Sequence, residues 1–167
     1  KTDYEDTGLA QLFGMPFVVL RKPVPFDTTT LNFNWQVWDT KAFSLYSRST
    51  EKIDKKGADM AIAAVCRFLS RMNVLNYNVY GGYESTVLLE EELVSLRSTA
   101  SGLYIPHVKS FDSVERGQIL ADIIDPLTGV TVAQTEAPED GIVFFAKDSP
   151  LVMENETLFK IVNKLHK

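Results

Sequence analysis

Gly102-Leu-Tyr-Ile-Pro106, followed by Val114-Glu-Arg-Gly117-Gln-Ile-Leu120-Ala-Asp-Ile123, is answered further along by Gly141-Ile-Val-Phe-Phe145 and Val152-Met-Glu-Asn155-Glu-Thr-Leu158-Phe-Lys-Ile161. The two spans, residues 102–123 and 141–161, differ by one residue in length. Each reads as a Gly-started apolar strand, a turn, and a second strand ending in Leu-x-x-Ile. Gly117 and Asn155 occupy the same turn position, and both residue types tolerate the positive φ that a tight turn requires. A β-unit that cannot bury its own face gains a core by packing against its twin, so the doubling predicts one compact β-module.

Working outward, the 167 residues are 45% hydrophobic with a formal net charge of −5, enough chain for a sizeable core in one or two domains. The charge is mixed, which leaves no basic footprint for nucleic acid and no Lys/Arg run for an anionic membrane surface. No apolar run reaches the ~18 residues of a membrane span, and the polar N-terminus is not a signal peptide, so a cytoplasmic location is expected. The single cysteine, Cys66, excludes an internal disulfide and a thiolate metal cluster.

The chain divides into two parts by periodicity. Residues 1–76 read as mixed α/β. A short helix over Glu5–Phe13 stops at Gly14 and Pro16, Phe17-Val-Val-Leu20 is a strand covered on both faces, and Ala42–Tyr46 is a second candidate strand. A helix over Lys55–Met72, with Asp54 as N-cap, places Ala58, Ile62, Val65, Leu69 and Met72 on its expected buried face. Two strands and a helix suggest the end of a larger α/β sheet, because two strands alone are marginal. Residues 77–167 read as β: strands at Tyr83–Leu89 and Leu93–Thr99, then the doubled unit with turns at Gly117, Pro126–Gly129, Pro138–Gly141 and Asn155. The expected fold class is therefore α+β, with an all-β barrel or sandwich closing the chain. The stretch Asn76–Tyr83 is the expected joint.

The doubled unit, with Val114-Glu-Arg-Gly117-Gln-x-Leu120 and Ala137-Pro138-x-Asp140-Gly141-x-Val143, resembles the biotinyl/lipoyl hammerhead module. A carrier role needs a lysine on the hairpin, and none lies between Lys109 and Lys147; the hairpin is Asp125-Pro-Leu-Thr-Gly129. Scaffold use is the better reading, since function lives in sites rather than folds.

The first part decides the larger resemblance. Gly8-Leu-Ala-Gln-Leu-Phe-Gly14-Met-Pro16, Thr30-Leu-Asn32, Ala42-Phe-Ser-Leu45 and Ile53-Asp54 before an amphipathic helix are similar, in order, to the C-terminal half of the succinylglutamate desuccinylase/aspartoacylase family. The resemblance implies a zinc-peptidase-like α/β sheet and a zinc-dependent deacylase that hydrolyses the amide of an N-acyl amino acid. Its partners would be that small substrate and, for a homo-oligomer, further copies of the chain. It implies a zinc held by His-x-x-Glu and a distant His upstream of the matched region. Here His107 is followed three residues later by Ser110, and His166 sits one residue from the C-terminal Lys167, so no metal ligand is assigned in this chain. A C-terminal portion of a protein about twice as long is expected, inactive by itself.

The same resemblance sets the candidate catalytic residues. Counting back from Ile53-Asp54 puts Tyr46 where the family carries its general-base Glu and Arg48 where it carries a Gly. A phenol of pKa near ~10 does not accept a proton at neutral pH but can donate a hydrogen bond to a developing oxyanion. Glu51 is the nearest carboxylate to substitute as base. The alternative is a catalytically altered member that serves as a binding or oligomerisation module. Glu90-Glu91-Glu92 reads as a solvated turn, and Asp122, Asp125, Glu136, Glu139 and Asp140 as hairpin residues. The aromatics Phe33, Trp35, Trp38, Phe43 and Tyr46 are expected to pack between the sheet and its neighbours.

Overall fold

The structure is a computed structural model and describes residues 7–46, 53–76, 78 and 81–163. These fall into two compact units that divide at Glu91–Glu92, beyond the expected joint near residue 76. The reason is a long-range pairing: strand β2 (Thr86–Leu89) returns to lie parallel to β1 (Phe17–Leu20). The Ser85 hydroxyl donating to the Met15 carbonyl at 2.6 Å, and the Thr86 N–H donating to the Pro16 carbonyl at 3.0 Å, hold that return in place.

Unit 1 begins with helix α1 (Thr7–Gln11), which ends in a turn closed by Gly14 at φ +61°. After β1 come a 3-10 turn over Pro25–Thr29, helix α2 (Leu31–Val37) and helix α3 (Lys55–Arg71). The Asp54 carboxylate accepts from the Gly57 N–H at 3.0 Å, so the expected N-cap is present. The buried face of α3 is different from the expected one. Gly57, Ala64 and Arg67 point inward, while Ala58, Ile62, Val65 and Met72 are exposed, Ile62 at 62%. Gly57 on that face sits against its own N-cap, where a Cβ would lie 2.6 Å from the Asp54 carboxylate. The face also carries Arg67, whose guanidinium Nη1 donates to the Phe13 carbonyl at 2.5 Å. A Cβ on Gly14 or Gly82 would fall within 2.9 Å and 2.7 Å of the Arg67 side chain. Ala42–Tyr46 forms no strand: side-chain bonds from Gln36 to the Ala42 carbonyl and from Asn32 to Ser44 fix it instead. Phe43 of this segment packs edge-on against Phe13 and Phe68.

Unit 2 consists of two four-stranded antiparallel sheets with no closed barrel among the described residues. After a 3-10 turn at Glu90–Glu92 the strands are β3 (Leu93–Arg97), β4 (Gly102–Pro106), β5 (Ser113–Val114), β6 (Ile119–Ile124), β7 (Thr131–Glu136), β8 (Gly141–Ala146), β9 (Leu151–Val152) and β10 (Thr157–Asn163). The sheet orders are β3-β10-β8-β5 and β7-β6-β4-β9. Exchanging β3 with β7, β4 with β8, β5 with β9 and β6 with β10 turns one sheet into the other. The repeat is therefore longer than residues 102–123 and 141–161, each copy gaining the strand before its glycine. Each sheet takes two strands from each copy, so neither copy forms a sheet alone.

The repeated residues have physical reasons. Leu120 and Ile123, like Leu158 and Ile161, are three apart, a spacing that a regular strand sends to opposite faces. Register irregularities at Ile119/Ala121 and Thr157/Phe159 re-aim the leucines, and all four side chains are fully buried. Gly117 (φ +80°) and Asn155 (φ +67°) hold the same left-handed turn conformation. Gly102 and Gly141 are needed for closeness instead: a Cβ at Gly102 would lie 2.5 Å from the Ile124 carbonyl oxygen, and one at Gly141 2.6 Å from that of Val162. Gly102→Ala and Gly141→Ala should each destabilise unit 2 by about 1–3 kcal/mol, the usual cost of overpacking. Asn155→Gly should change stability by less than about 0.5 kcal/mol. Urea unfolding of the three variants checks this, and unequal effects at the two equivalent glycines would contradict the symmetry.

Candidate functional site

Unit 1 ends its parallel strands on charge. Arg21 and Lys22 follow β1, and Glu90 and Glu91 follow β2. Arg21 pairs with the buried Asp27 and lies 3.6 Å from Glu90, while Lys22 lies 3.6 Å from Glu91. Asp27 also accepts from the Val24 N–H at 2.7 Å, which with Arg21 holds its carboxyl below the ordinary range. The hydrogen bond to Asp27 in turn raises the Arg21 pKa further above its ordinary value. Leu20, Lys22, Leu89, Glu90 and Glu91 line a recess of about 240 Å³ here. The carboxyl ends of parallel strands are the usual place for a site in α/β sheets, yet this recess is below the ~300 Å³ of typical ligand pockets. The sequence signal, two cations directly after an apolar strand, was present but unread, and Glu90–Glu92 is a paired turn rather than a merely solvated one.

Tyr46 lies on the same unit, within electrostatic reach of Arg21, and is 81% exposed. Arg48 and Glu51 lie outside the described residues, so Tyr46 is the candidate whose surroundings are known. Of the aromatics expected to pack inward, Phe43 does so, whereas Trp35 and Trp38 are 50% and 81% exposed. No group of three or more His, Cys, Asp or Glu that could hold a metal ion occurs among the described residues. These residues therefore do not fit zinc. No helix among them is long and apolar enough to cross a membrane.

His107, at the end of β4, belongs to a small polar group on unit 2. Its Nε2 is 2.8 Å from Asp122 Oδ2, and the Gln134 amide donates to Asp122 Oδ1 at 2.8 Å. These bonds, Gln134 first and then His107, hold the Asp122 carboxyl below its ordinary pKa. The stabilisation is complete above the unfolded value near ~3.9 and is lost as pH falls through the lower folded one. Asp122→Asn should thus flatten the decline of the urea midpoint below about pH 4. A change confined to the neutral range would contradict this account.

No family model matches the chain, and neither does any curated protein. Solved structures do. The succinylglutamate desuccinylase/aspartoacylase of Rhodobacter sphaeroides is similar over 96% of this chain and 49% of its own, at 15% identity and a TM-score of 0.76. A product-bound ectoine utilization protein EutE (DoeB) of Ruegeria pomeroyi matches 98% of this chain and 50% of its own, at 12% identity and 0.79. An aspartoacylase family protein of Mesorhizobium loti matches 98% and 48%, at 16% identity and 0.65. The chain spans about half the length of these structures, as a C-terminal part would. Over that half, the chain has the fold of the succinylglutamate desuccinylase/aspartoacylase structures.

Proposed function

We propose that residues 1–167 are the C-terminal portion of a hydrolase that removes the acyl group from an N-acyl amino acid or a similar small amide. The observation that carries this reading is the shared fold over nearly all of the chain and about half of each solved relative. In this reading unit 1 completes the catalytic α/β domain, and unit 2, with its likeness to a biotinyl/lipoyl hammerhead, frames the substrate entrance as a scaffold. The zinc that the resemblance implies is held outside residues 1–167, and the protein acts in the cytoplasm. Water adds to the amide carbonyl, the C–N bond breaks, and the amine leaves with a proton. Tyr46 donates a hydrogen bond to the developing oxyanion, Arg48 adds positive charge beside it, and Glu51 takes the proton from water.

The test uses the 167-residue chain and a polypeptide that joins it to an upstream zinc-binding half. The longer protein should contain zinc by metal analysis and hydrolyse N-acyl amino acids in a chelator-sensitive manner, and the 167-residue chain should not. Within it, Tyr46→Phe should lower kcat by about 10²-fold, the usual cost of one oxyanion donor. Glu51→Gln should lower it by at least as much. Unchanged rates in both variants would remove these residues from the mechanism.

A second reading rests on one observation, the tyrosine that stands at the family's carboxylate position. A member without a base at residue 46 would serve as a binding or oligomerisation module. It would retain zinc and bind the N-acyl amino acid without turnover, which separates it from the hydrolase in the same assay.

A further inference from the structure

Helix α2 turns an apolar stripe outward. Its polar residues Asn32 and Gln36 face the rest of unit 1, where they bond Ser44 and the Ala42 carbonyl. Leu31 and Trp35 of the helix and its C-cap Trp38, spaced four and three apart on one stripe, face away at 62%, 50% and 81% exposure, while Phe33 is half-buried and Asn34 exposed. Phe26, on the 3-10 turn that packs beside α2, is exposed as well. A surface helix ordinarily turns its apolar stripe to the core and its polar side to water. An aromatic face of this kind on a soluble unit marks an interaction surface.

What covers it is indicated by two further observations. The parallel sheet of unit 1 has two strands among the described residues, and parallel sheets are stable when flanked on both faces and extended by further strands. The solved structures that share this fold are about twice as long as the chain. We propose that the Leu31–Trp35–Trp38 stripe is the docking face for the remaining α/β half of that same fold, a segment that packs apolar side chains on α2 and continues the β1–β2 sheet. This rests on the reading of the chain as part of a larger hydrolase fold, and it names the surface through which the two parts meet. The stripe carries no charged residue, so an apolar partner face is the one it fits.

Trp35 and Trp38 are the chain's two tryptophans, so indole fluorescence reports this face directly. In the 167-residue chain the emission should be that of water-exposed indole, independent of concentration and readily quenched by acrylamide. Trp38→Glu should leave the thermal midpoint of that chain unchanged. For the partner, a benzophenone amino acid replaces Trp38 in the protein as expressed in its source organism, followed by irradiation and mass spectrometry. The expected crosslink is to a segment similar to the half of the solved structures that this chain leaves unmatched, whether in the same polypeptide or another. Trp35→Glu in the same background should reduce its yield several-fold. A crosslink to a second copy of this chain, with a concentration-dependent blue shift, overturns the proposal. So does a crosslink to an unrelated protein, or none at all. Docking without hydrolysis would sink only the deacylase reading, whereas hydrolysis without this crosslink would sink only the surface.

Discussion

Unit 2 depends on an exchange of backbone hydrogen bonds between two copies of one motif. The Asn155 N–H donates to the Ser98 carbonyl at 2.8 Å, and the Gly117 N–H donates to the Ala137 carbonyl at 2.8 Å. The Ser98 N–H returns a bond to Glu156, and the Ala137 N–H to Gln118, each at 2.9 Å. Each turn thus closes on the segment that leads into the other copy. The short strands do the same, β5 pairing with β8 and β9 with β4. Since every edge of one copy is completed by the other, the core between them is built from equivalent side chains: Leu120 with Leu158, Ile123 with Ile161, Tyr104 with Val143. Loss of one copy would open both sheets, so the doubling is a condition of stability and not only a trace of duplication.

That dependence explains which parts of the repeat were visible in the sequence. Gly102 and Gly141 are legible because a neighbouring carbonyl leaves no room for a Cβ, and Leu-x-x-Ile is legible because a bulge sends both side chains inward. The strand before Gly102 was read at Leu93–Thr99, but its equivalence with the strand before Gly141 was invisible. Ser98 and Ala137 share no side-chain chemistry, since their equivalence is carried by main-chain N–H and C=O groups that any residue supplies. Helix α3 shows the opposite failure. Its apolar count favours the Ile62–Val65 side, whereas the buried residues are Gly57 against the Asp54 cap, Ala64, and Arg67 bonded to the Phe13 carbonyl. Periodicity finds a helix well and its inward face poorly when small residues do the packing.

The candidate site was legible only through resemblance. Nothing in composition or spacing singles out Tyr46, and at 81% exposure it has no signature of burial. In the Arg21–Asp27–Glu90 group the Arg21–Asp27 pair is local, and Glu90 joins it because β2 returns beside β1. Its charges largely cancel, so it fixes the strand ends more than it attracts a ligand.

The two units differ in how far each satisfies itself. Unit 2 buries a continuous core from Tyr104 to Ile161 with both sheets contributing. Unit 1 buries Phe13, Ala42, Ala64 and Leu88, and relies on Arg67, a buried cation bonded to carbonyls, to tie α3 to the turn after α1. A buried guanidinium is a costly way to join elements, tolerated where apolar area is scarce. Meanwhile Leu31, Trp35, Trp38, Ile62 and Val65 stand outside. The apolar residues that would complete a core are present in unit 1 but turned away from it. Trp35 lies on the side of α2 away from Asn32 and Gln36, which bond within unit 1, and the C-cap Trp38 is 81% exposed. Under the proposed reading, that distribution is what a part packed against a further α/β segment would have.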